Sequence, residues 1–233
     1  MDIAVLIPAH NEAERVAATV RAARAIDGVT RIVVVDDASS DDSARLAEEA
    51  GAKVVRLTFN VGKGAALDAG ASRVANADVV LLLDADLAEA ASQGASLLAP
   101  VLAGAADMSI ATFPRPTGKA GFGLVKNIAR WGIARMGGGF EAQAPLSGQR
   151  ALNTRAFEVA RPFAFGYGVE VALTVRALRA GLRVVEVPTT MSHAATGRDV
   201  AGFVHRGRQF VHVCIALVRL AFERTHDRER RDP

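Results

Sequence analysis

Two aspartates, Asp84 and Asp86, stand directly after the apolar run Val79–Leu83. In an extended segment, residues i and i+2 point to the same side, so both carboxylates can face one site. Paired carboxylates at the exit of a strand suit a hard cation, and Mg²⁺ or Mn²⁺ held there could bridge the oxygens of a diphosphate. Acidic pairs also occur in ordinary turns, so this spacing alone leaves both interpretations open.

Polar residues also follow other apolar runs. Pro8–Glu12 comes after the first run, and Asp36 and Asp37 come after the second. Ligands of parallel α/β sheets collect at the carboxyl ends of strands, so these residues are candidate ligand contacts, although Asp36 and Asp37 could equally cap a helix or form a turn. Lys63 begins a predicted helix, where its charge opposes the helix dipole, and a bound diphosphate would remove that conflict.

Strands alternating with helices are needed to bring these residues together. In residues 1–114, short runs rich in Val, Ile and Leu alternate with stretches of helical composition. This order predicts an α/β fold, with a mostly parallel sheet covered by helices on both faces. The predicted strands are Ile3–Ile7, Arg31–Val35, Lys53–Leu57, Val79–Leu83 and Met108–Thr112, and the predicted helices are Glu12–Ala25 (capped by Asn11), Asp41–Ala50, Lys63–Ala75 and Glu89–Ala103.

The alternation ends after residue 114, and the C-terminal part is predicted to be less regular. Pro114–Gly123 contains two Pro and three Gly and is predicted to be a loop. No internal repeat or linker divides the chain, so we expect one domain over residues 1–233. The further predicted elements are helices Leu124–Met136, Val169–Ala180 and Phe203–Arg224, strand Val184–Val187, and an irregular segment Pro145–Gln149.

Several other classes of protein fit poorly. No G-x-G-x-x-G follows the first strand, and Gly62-Lys63-Gly64 lacks the rest of a P-loop. The single cysteine, Cys214, excludes an internal disulfide framework and a Cys-based zinc cluster. No apolar run reaches the roughly 18 residues of a spanning helix, and the first residues lack a basic signal-peptide start, so we expect a cytoplasmic protein. One Trp and one Tyr, without interleaved basic runs, argue against nucleic-acid binding.

Charge is distributed unevenly between the two halves. Residues 1–114 carry nine Lys and Arg against 16 Asp and Glu, whereas residues 115–233 carry 19 against nine. An acidic site for a metal could therefore face a basic site for an anion, or both halves could simply carry solvated charged faces. Among the basic residues, Arg150 and Arg198 lie beside sequence motifs and are the best candidates for binding an anionic acceptor.

Four segments in order, Ile7–Glu12, Val35–Asp41, Asn60–Gly64 and Asp84–Asp86, resemble the nucleotide-sugar-binding half of GT-A glycosyltransferases of family 2. The resemblance covers about residues 1–115 and implies a GT-A, Rossmann-like fold with the acceptor-binding half in residues 116–233. It implies a nucleotide-diphosphate sugar donor and a Mg²⁺ or Mn²⁺ cofactor. It further implies that the nucleoside is held by Pro8, Ala9, Glu12 and one or both of Asp36 and Asp37, the diphosphate by Lys63, and the ribose and metal by Asp84 and Asp86, with Asp86 essential for catalysis.

The second half resembles glucosyl-3-phosphoglycerate synthases, which are also GT-A proteins, at Pro145–Arg150, Gly166–Glu170 and Ser192-His193. This resemblance implies that His193 is a third metal ligand beside Asp84 and Asp86. It implies that Glu170 acts in acceptor binding or as a base, and that an anionic acceptor such as phosphoglycerate contacts Gln149, Arg150 and Arg198. The family 2 resemblance suggests inversion at the sugar and the second resemblance suggests retention, so the stereochemistry stays open.

Two alternatives remain at this point. Polyprenyl-phosphate glycosyltransferases share the first half and act at a membrane surface, which the final helix could contact; that helix could equally pack against the domain or a second copy in a homodimer. A non-catalytic protein that binds a nucleotide sugar would share the fold but need not keep Lys63, Asp84, Asp86 and His193 together.

Overall fold

The computed structural model describes residues 1–113, 123–191 and 200–229, and within the last range it describes the side chains of residues 207–223. The described strands form one sheet in the order β3-β2-β1-β4-β6-β5-β7. The strands are β1 Ile3–Ala9, β2 Val29–Asp36, β3 Lys53–Arg56, β4 Val79–Leu82, β5 Met108–Thr112, β6 Arg150–Asn153 and β7 Val184–Pro188. The helices are α1 Val16–Arg24, α2 Ser43–Glu49, α3 Lys63–Val74, α4 Gly94–Leu102, α5 Leu124–Met136, α6 Thr154–Ala160, α7 Val169–Arg179 and α8 Val200–Glu229.

The sheet confirms the predicted mostly parallel α/β architecture. β1 pairs in parallel with both β2 and β4, β2 pairs in parallel with β3, and β5 pairs in parallel with β7. β6 is the exception, since it runs antiparallel between β4 and β5. The carboxyl ends of β1, β2 and β4 therefore lie at the same edge of the sheet, and this edge carries the candidate residues of the first half.

The core lies on both faces of the sheet, which explains the continuous apolar strands. Along β1, Val5 and Ile7 pack on the side of α1 and α4, whereas Leu6 packs on the side of α3, α6 and α7. All three are fully buried. Each such aliphatic side chain contributes about 1.5–3 kcal/mol by leaving water, so a strand buried on both sides contributes at every position.

A third apolar cluster joins α5, α7 and α8 outside the second face of the sheet. It includes Ala129 and Ile133 of α5, Val175 of α7 and Leu217 of α8, all of which are buried. A Cβ at Gly132 would collide with the side chain of Leu217, so α5 and α8 lie in close contact. None of the described helices combines the length and the apolar character needed to cross a bilayer.

Three local predictions were wrong. Asn11 does not cap the first helix, which begins at Val16; its φ is 55°, and its Oδ1 accepts the N–H of Ser40 at 2.8 Å. The predicted helix Glu89–Ala103 is divided into a 3₁₀ turn at Ala88–Gln93 and α4. The prediction also missed β6 and α6, because a four-residue strand that begins with Arg150 carries almost no apolar pattern.

Candidate active site

An ion pair between Lys63 and Asp84 lies at the centre of the site. Lys63 is the first residue of α3, and Asp84 follows the end of β4. The Nζ of Lys63 lies 2.6 Å from Oδ1 of Asp84, and the two side chains are 23% and 24% exposed. Nε2 of Gln149 donates to Oδ2 of Asp84 at 2.6 Å. The Asp84 carboxylate is therefore held by groups from both halves of the chain.

Glu170, in the first turn of α7, brings a second carboxylate to the same ammonium. Its Oε1 lies 2.8 Å from Nζ of Lys63, and its side chain is only 6% exposed. Burial lowers the pKa of Lys63, but the attraction of Asp84 and Glu170, with their hydrogen bonds, outweighs burial and raises that pKa above its usual range. Lys63 therefore stays charged at every physiological pH.

Two glycines allow this close approach. A Cβ at Gly148 would collide with Nζ of Lys63 and would stand 2.8 Å from Oδ2 of Asp84. A Cβ at Gly64 would collide with the carbonyl oxygen of Ala164. The segments before β6 and before α7 consequently pack directly on the start of α3.

Asp36 and Asp37 are adjacent and both buried, yet their carboxylates have different surroundings. The two carboxylate oxygens of Asp37 accept the N–H groups of Val61 and Gly62, each at 2.8 Å, and so fix the loop before α3. Oδ1 of Asp36 is buried and has no hydrogen-bond partner among the residues that the structure describes. From the sequence, Asp36 and Asp37 were equivalent candidates for nucleoside binding. In the structure, Oδ1 of Asp36 is available to accept a hydrogen bond from a ligand.

The end of β1 lies beside Asp36 and Asp37. Pro8 and Ala9 pair with Val35 and Asp36 across β1 and β2. The carbonyl oxygen of Ala9 accepts the N–H of Asp37 at 2.8 Å. His10, which was given no role from sequence, donates from Nδ1 to the carbonyl oxygen of Asp37 at 2.8 Å. The residues predicted to hold a nucleoside therefore meet at two adjacent strand ends.

Glu12 and Asp86 add negative charge close to Asp84. Burial and repulsion from Asp86, with smaller contributions from Asp41 and Asp84, raise the pKa of Glu12 above its ordinary value, and Arg15 lowers it by less. These carboxylates repel one another across the strand ends. A bound cation would relieve that repulsion.

The loop that carries Asp84 and Asp86 is fixed from α1 by Thr19, a residue that sequence reasoning missed. The hydroxyl of Thr19 is buried, donates to the carbonyl oxygen of Ala85 at 2.8 Å and accepts the N–H of Ala88 at 2.8 Å. A threonine inside an amphipathic helix gives no sign of a contact this distant along the chain. Only the packing of α1 beside β4 reveals it.

Arg150 and Gln149, the predicted acceptor contacts, are buried in the structure, and their role toward an acceptor stays a prediction. Arg150 is fully buried; its Nε donates to the carbonyl oxygen of Ser147 and its Nη1 to Oγ1 of Thr174, each at 2.9 Å. Burial lowers the pKa of Arg150 to about 10, and Glu170 and Glu186 oppose that effect. Gln149 is also fully buried and uses its amide on Asp84. Nη2 of Arg150 is also buried and has no hydrogen-bond partner among the residues that the structure describes.

His212 of α8, which was not among the residues predicted for the site, reaches the site from its outer side. Its ring contacts Phe165 edge-on at a centroid distance of 4.9 Å and stacks on Tyr167 at 5.7 Å. Gly166, at φ 58°, is needed here because a Cβ would collide with the His212 ring. The start of α7, and with it Glu170, is therefore packed against α8.

His193, the predicted third metal ligand, and Arg198, the predicted acceptor contact, lie outside the described residues and stay predictions. Within the described part of the chain, no group of three His, Cys, Asp or Glu side chains is arranged to hold a metal ion. The described carboxylates at Asp84 and Asp86 would need a further ligand from the undescribed residues, from the donor or from water.

Comparisons with known proteins agree with this architecture. The family model for glycosyl transferase family 2 matches residues 4–157. Glycosyltransferase AglJ from Haloferax volcanii is 30% identical over 200 residues, which cover 84% of this chain and 65% of AglJ. Undecaprenyl-phosphate mannosyltransferase from Micrococcus luteus is 30% identical over 213 residues, which cover 85% of this chain and 87% of that protein.

Among solved structures, glucosyl-3-phosphoglycerate synthase from Mycobacterium tuberculosis superimposes with a TM-score of 0.78 at 25% identity. The match covers 94% of this chain and 78% of the synthase, which was crystallised with Mn²⁺, uridine diphosphate and phosphoglyceric acid. The same synthase was also crystallised with Mg²⁺ and uridine diphosphate. The likeness extends over both halves of the chain.

Proposed function

This chain belongs to glycosyl transferase family 2 and is a glycosyltransferase, and we propose that it transfers a sugar from a nucleoside diphosphate sugar to a phosphorylated acceptor, with Mg²⁺ or Mn²⁺ at Asp84 and Asp86. The observation that carries the proposal is the ammonium of Lys63, which lies at the start of α3 and within 2.6 Å of Asp84 and 2.8 Å of Glu170. One charged donor therefore lies beside Asp84, a proposed metal ligand, and beside Glu170, the proposed acceptor-side residue.

The leaving group of such a reaction is a nucleoside diphosphate, on which negative charge grows. Lys63 and the N-terminal N–H groups of α3 are fixed before the reaction and suit that charge. Gly64 allows the start of α3 to approach the rest of the site closely. Binding of a diphosphate would also remove the conflict between the Lys63 charge and the α3 dipole.

Asp84 and Asp86 supply the oxygen ligands that Mg²⁺ and Mn²⁺ prefer. Burial is the largest cause of the raised pKa of Glu12 and repulsion from Asp86 the next; this repulsion between carboxylates supports a cation at this place. A bound divalent ion would neutralise charge on the diphosphate. His193 is the proposed third ligand.

The nucleoside is proposed to lie at the ends of β1 and β2. Oδ1 of Asp36, buried and without a hydrogen-bond partner among the described residues, would accept an N–H of the base. Pro8, Ala9 and Glu12 surround the same strand ends. Asp37 contributes indirectly, because its carboxylate already holds the N–H groups of Val61 and Gly62.

Glu170 is the proposed acceptor-side residue. In an inverting reaction on an acceptor hydroxyl, its carboxylate would take the proton of that hydroxyl as the oxygen bonds to the anomeric carbon. A polyprenyl phosphate would attack through an ionised phosphate oxygen, and Glu170 would then orient the acceptor. The bond from the anomeric carbon to the diphosphate breaks, and its electron pair stays on the phosphate oxygen. In a retaining reaction the leaving phosphate takes the proton, and Glu170 orients the acceptor.

Two phosphorylated acceptors are candidates. A soluble phosphoglycerate-like acceptor is supported by the fold shared with a synthase crystallised with phosphoglyceric acid. A polyprenyl phosphate is supported by the likeness to undecaprenyl-phosphate mannosyltransferase.

The test is transfer of labelled sugar by the purified protein. UDP-glucose and GDP-mannose would each be offered with 3-phosphoglycerate or with detergent-dispersed undecaprenyl phosphate, in Mn²⁺, Mg²⁺ or EDTA. We expect metal-dependent product with one donor and one acceptor, and loss of it in Asp86→Ala but not in the matched control Glu89→Ala, since Glu89 is exposed. Equal turnover in Asp86→Ala and the wild type, or in EDTA and Mn²⁺, would contradict the proposal.

A further inference from the structure

The outer faces of α5 and α8 expose large apolar side chains that the catalytic proposal does not use. Six of them are between 38% and 67% exposed. Water-exposed side chains of this size usually mark an interaction surface when they lie together. We call this surface the α5–α8 face; its apolar members are Leu124, Trp131, Val211, Ile215, Val218 and Phe222.

On α8 these residues form one narrow stripe. Val211, Ile215, Val218 and Phe222 recur at spacings that place them, at about 100° per residue, within one arc of the helix surface. The opposite side of α8 is buried against α5, α7 and the Gly166–Gly168 turn. The stripe therefore points away from the domain.

The exposed apolar side chains of α5 lie beside the stripe of α8. Leu124 and Trp131 lie two turns apart on the exposed side of α5, and Trp131 is 63% exposed. Because Gly132 contacts Leu217 of α8, the two helices lie side by side over α7. Their exposed sides consequently form one continuous surface.

The charges on this face have one sign. Arg135 of α5 lies on the same side as Leu124 and Trp131, and Arg208 and Arg219 of α8 lie beside its stripe; all three are exposed. Residues 124–136 and 207–222 contain no Asp or Glu, and Glu223, which follows Phe222, is paired with Arg176 of α7 at 2.6 Å. Arginine and lysine beside exposed aliphatic residues and a tryptophan are the composition of helices that lie in the interface of an anionic bilayer.

We propose that the α5–α8 face seats this enzyme on the surface of a bilayer that contains anionic phospholipids. The apolar stripes enter the headgroup boundary, Trp131 lies at the level of the headgroups, and the three basic side chains bind lipid phosphates. A second copy of the chain is a poorer occupant, because pairing two such faces would bring basic residues together with no acidic partner on either face.

The position of the face also fits a reaction at the membrane. Phe165, 49% exposed, contacts His212 of α8 edge-on, and Tyr167 stacks on the same His212 ring. The segment from Phe165 leads into α7 and Glu170, whose carboxylate contacts Lys63. One end of the α8 stripe thus lies next to the acceptor side of the proposed site.

The test is flotation of the purified full chain with lipid vesicles, without donor or acceptor, so its outcome is independent of the glycosyl-transfer assay. Vesicles of equimolar phosphatidylglycerol and phosphatidylcholine are compared with phosphatidylcholine alone at about 0.1 M salt, where surface charges still act. We expect the protein to float with the anionic vesicles and to partition at least about tenfold less onto the neutral ones.

Two variants distinguish binding through the α5–α8 face from non-specific binding to vesicles: the double variant Val218→Glu/Phe222→Glu and the control variant Leu102→Glu. We expect the first to lose flotation at least about tenfold, since it places two carboxylates on the face. Leu102 is exposed on α4, on the other side of the sheet, so its variant should float like the wild type. All three positions are exposed, and equal melting temperatures would verify folding.

Two outcomes would overturn the proposal. One is the absence of flotation with anionic vesicles, or equal flotation of Val218→Glu/Phe222→Glu and the wild type. The other is a wild-type protein that does not float and that sediments as a dimer, together with a Val218→Glu/Phe222→Glu variant that sediments as a monomer. That result would assign the face to a second copy of the chain.

Discussion

The Nζ atom of Lys63 lies 2.8 Å from Oε1 of Glu170, and this ion pair joins the N-terminus of α3 to that of α7. The dipole of α3 disfavours a cation at its first residue, whereas that of α7 favours the Glu170 carboxylate. Asp84 and Glu170 together keep Lys63 charged in spite of its burial. The donor half and the acceptor half of the chain therefore share one electrostatic centre.

Replacement of Lys63 by Met should separate stability from catalysis. The variant leaves Glu170, 6% exposed, without its cation, so we expect a loss of up to about 3 kcal/mol in the free energy of unfolding. Transfer should fall by about 10²–10³-fold, because a fixed donor to the developing charge is lost. Denaturant unfolding and single-turnover transfer measure the two effects.

The double variant Lys63→Met/Glu170→Gln is the control for that interpretation. It removes both charges, so most of the lost stability should return, while transfer stays low because Lys63 and the proposed acceptor-side residue Glu170 are both replaced. If transfer returned together with stability, Lys63 would be a structural residue only.

Gly148→Ala should impair the site more than the fold. The new Cβ would collide with the ammonium of Lys63, which can swing away on its flexible side chain at little cost in packing but then leaves Asp84. We expect transfer to fall at least about tenfold, the equivalent of about 1.4 kcal/mol in transition-state stabilisation, with a much smaller change in melting temperature. Gly207→Ala is the matched control, since its Cβ would meet open space on α8; unchanged transfer in Gly148→Ala would contradict the role given to Gly148.

Much of this centre could be predicted from the sequence. Parallel strands carry their apolar pattern in single, uninterrupted runs, and chain direction then fixes that Asp36, Asp84 and Lys63 gather at one sheet edge. Short antiparallel β6 could not be found in this way. Its insertion between β4 and β5 is what brings Gln149 to Asp84.

Arg150 shows that the charge of a residue does not predict its exposure to solvent. An arginine beside a motif was predicted to meet an anion, but its position at the start of a central strand buries it completely. Hydrogen bonds to the carbonyl oxygen of Ser147 and to Thr174 replace water. Burial depends on strand pairing across the sheet, which no local sequence pattern encodes.

Asp37→Asn and Asp36→Asn should have different consequences. In Asp37→Asn the side-chain amide keeps a single acceptor oxygen and could bind only one of the two N–H groups of Val61 and Gly62, so we expect a loss of about 1.5–3 kcal/mol in stability. In Asp36→Asn no such loop contact is lost among the described residues, and the change should appear as weaker nucleotide binding. The melting temperatures of both variants would be measured with and without nucleotide. If nucleotide raised the melting temperature of Asp36→Asn as much as that of the wild type, the role of Asp36 would be refuted.

Glu12 should make stability depend on pH. Its pKa is raised in the folded protein by burial and by Asp86, so between its ordinary value of 4.5 and the folded value the folded chain binds more protons than the unfolded chain. The free energy of unfolding therefore falls as pH rises through this interval and stays lower above it. Glu12→Gln should gain stability relative to the wild type at pH 7, and the gain should disappear near pH 4. Melts at both pH values test this, with exposed Glu14→Gln as the control; an equal difference at both pH values would rule it out.

Thr19→Val should loosen the loop that carries Asp84 and Asp86 without changing the shape of the side chain. The carbonyl oxygen of Ala85 and the N–H of Ala88 lose their shared hydroxyl in a buried place, so we expect a loss of about 1–3 kcal/mol in stability. Because Ala85 lies between the two aspartates, the apparent affinity for Mn²⁺ should also fall, and kcat with it. Thr19→Ser keeps the hydroxyl and should retain Mn²⁺ affinity although it loses a buried methyl group. Metal titrations of transfer by both variants decide the point: equal Mn²⁺ affinity in Thr19→Val and Thr19→Ser would mean that the hydroxyl stabilises α1 but does not position the aspartates.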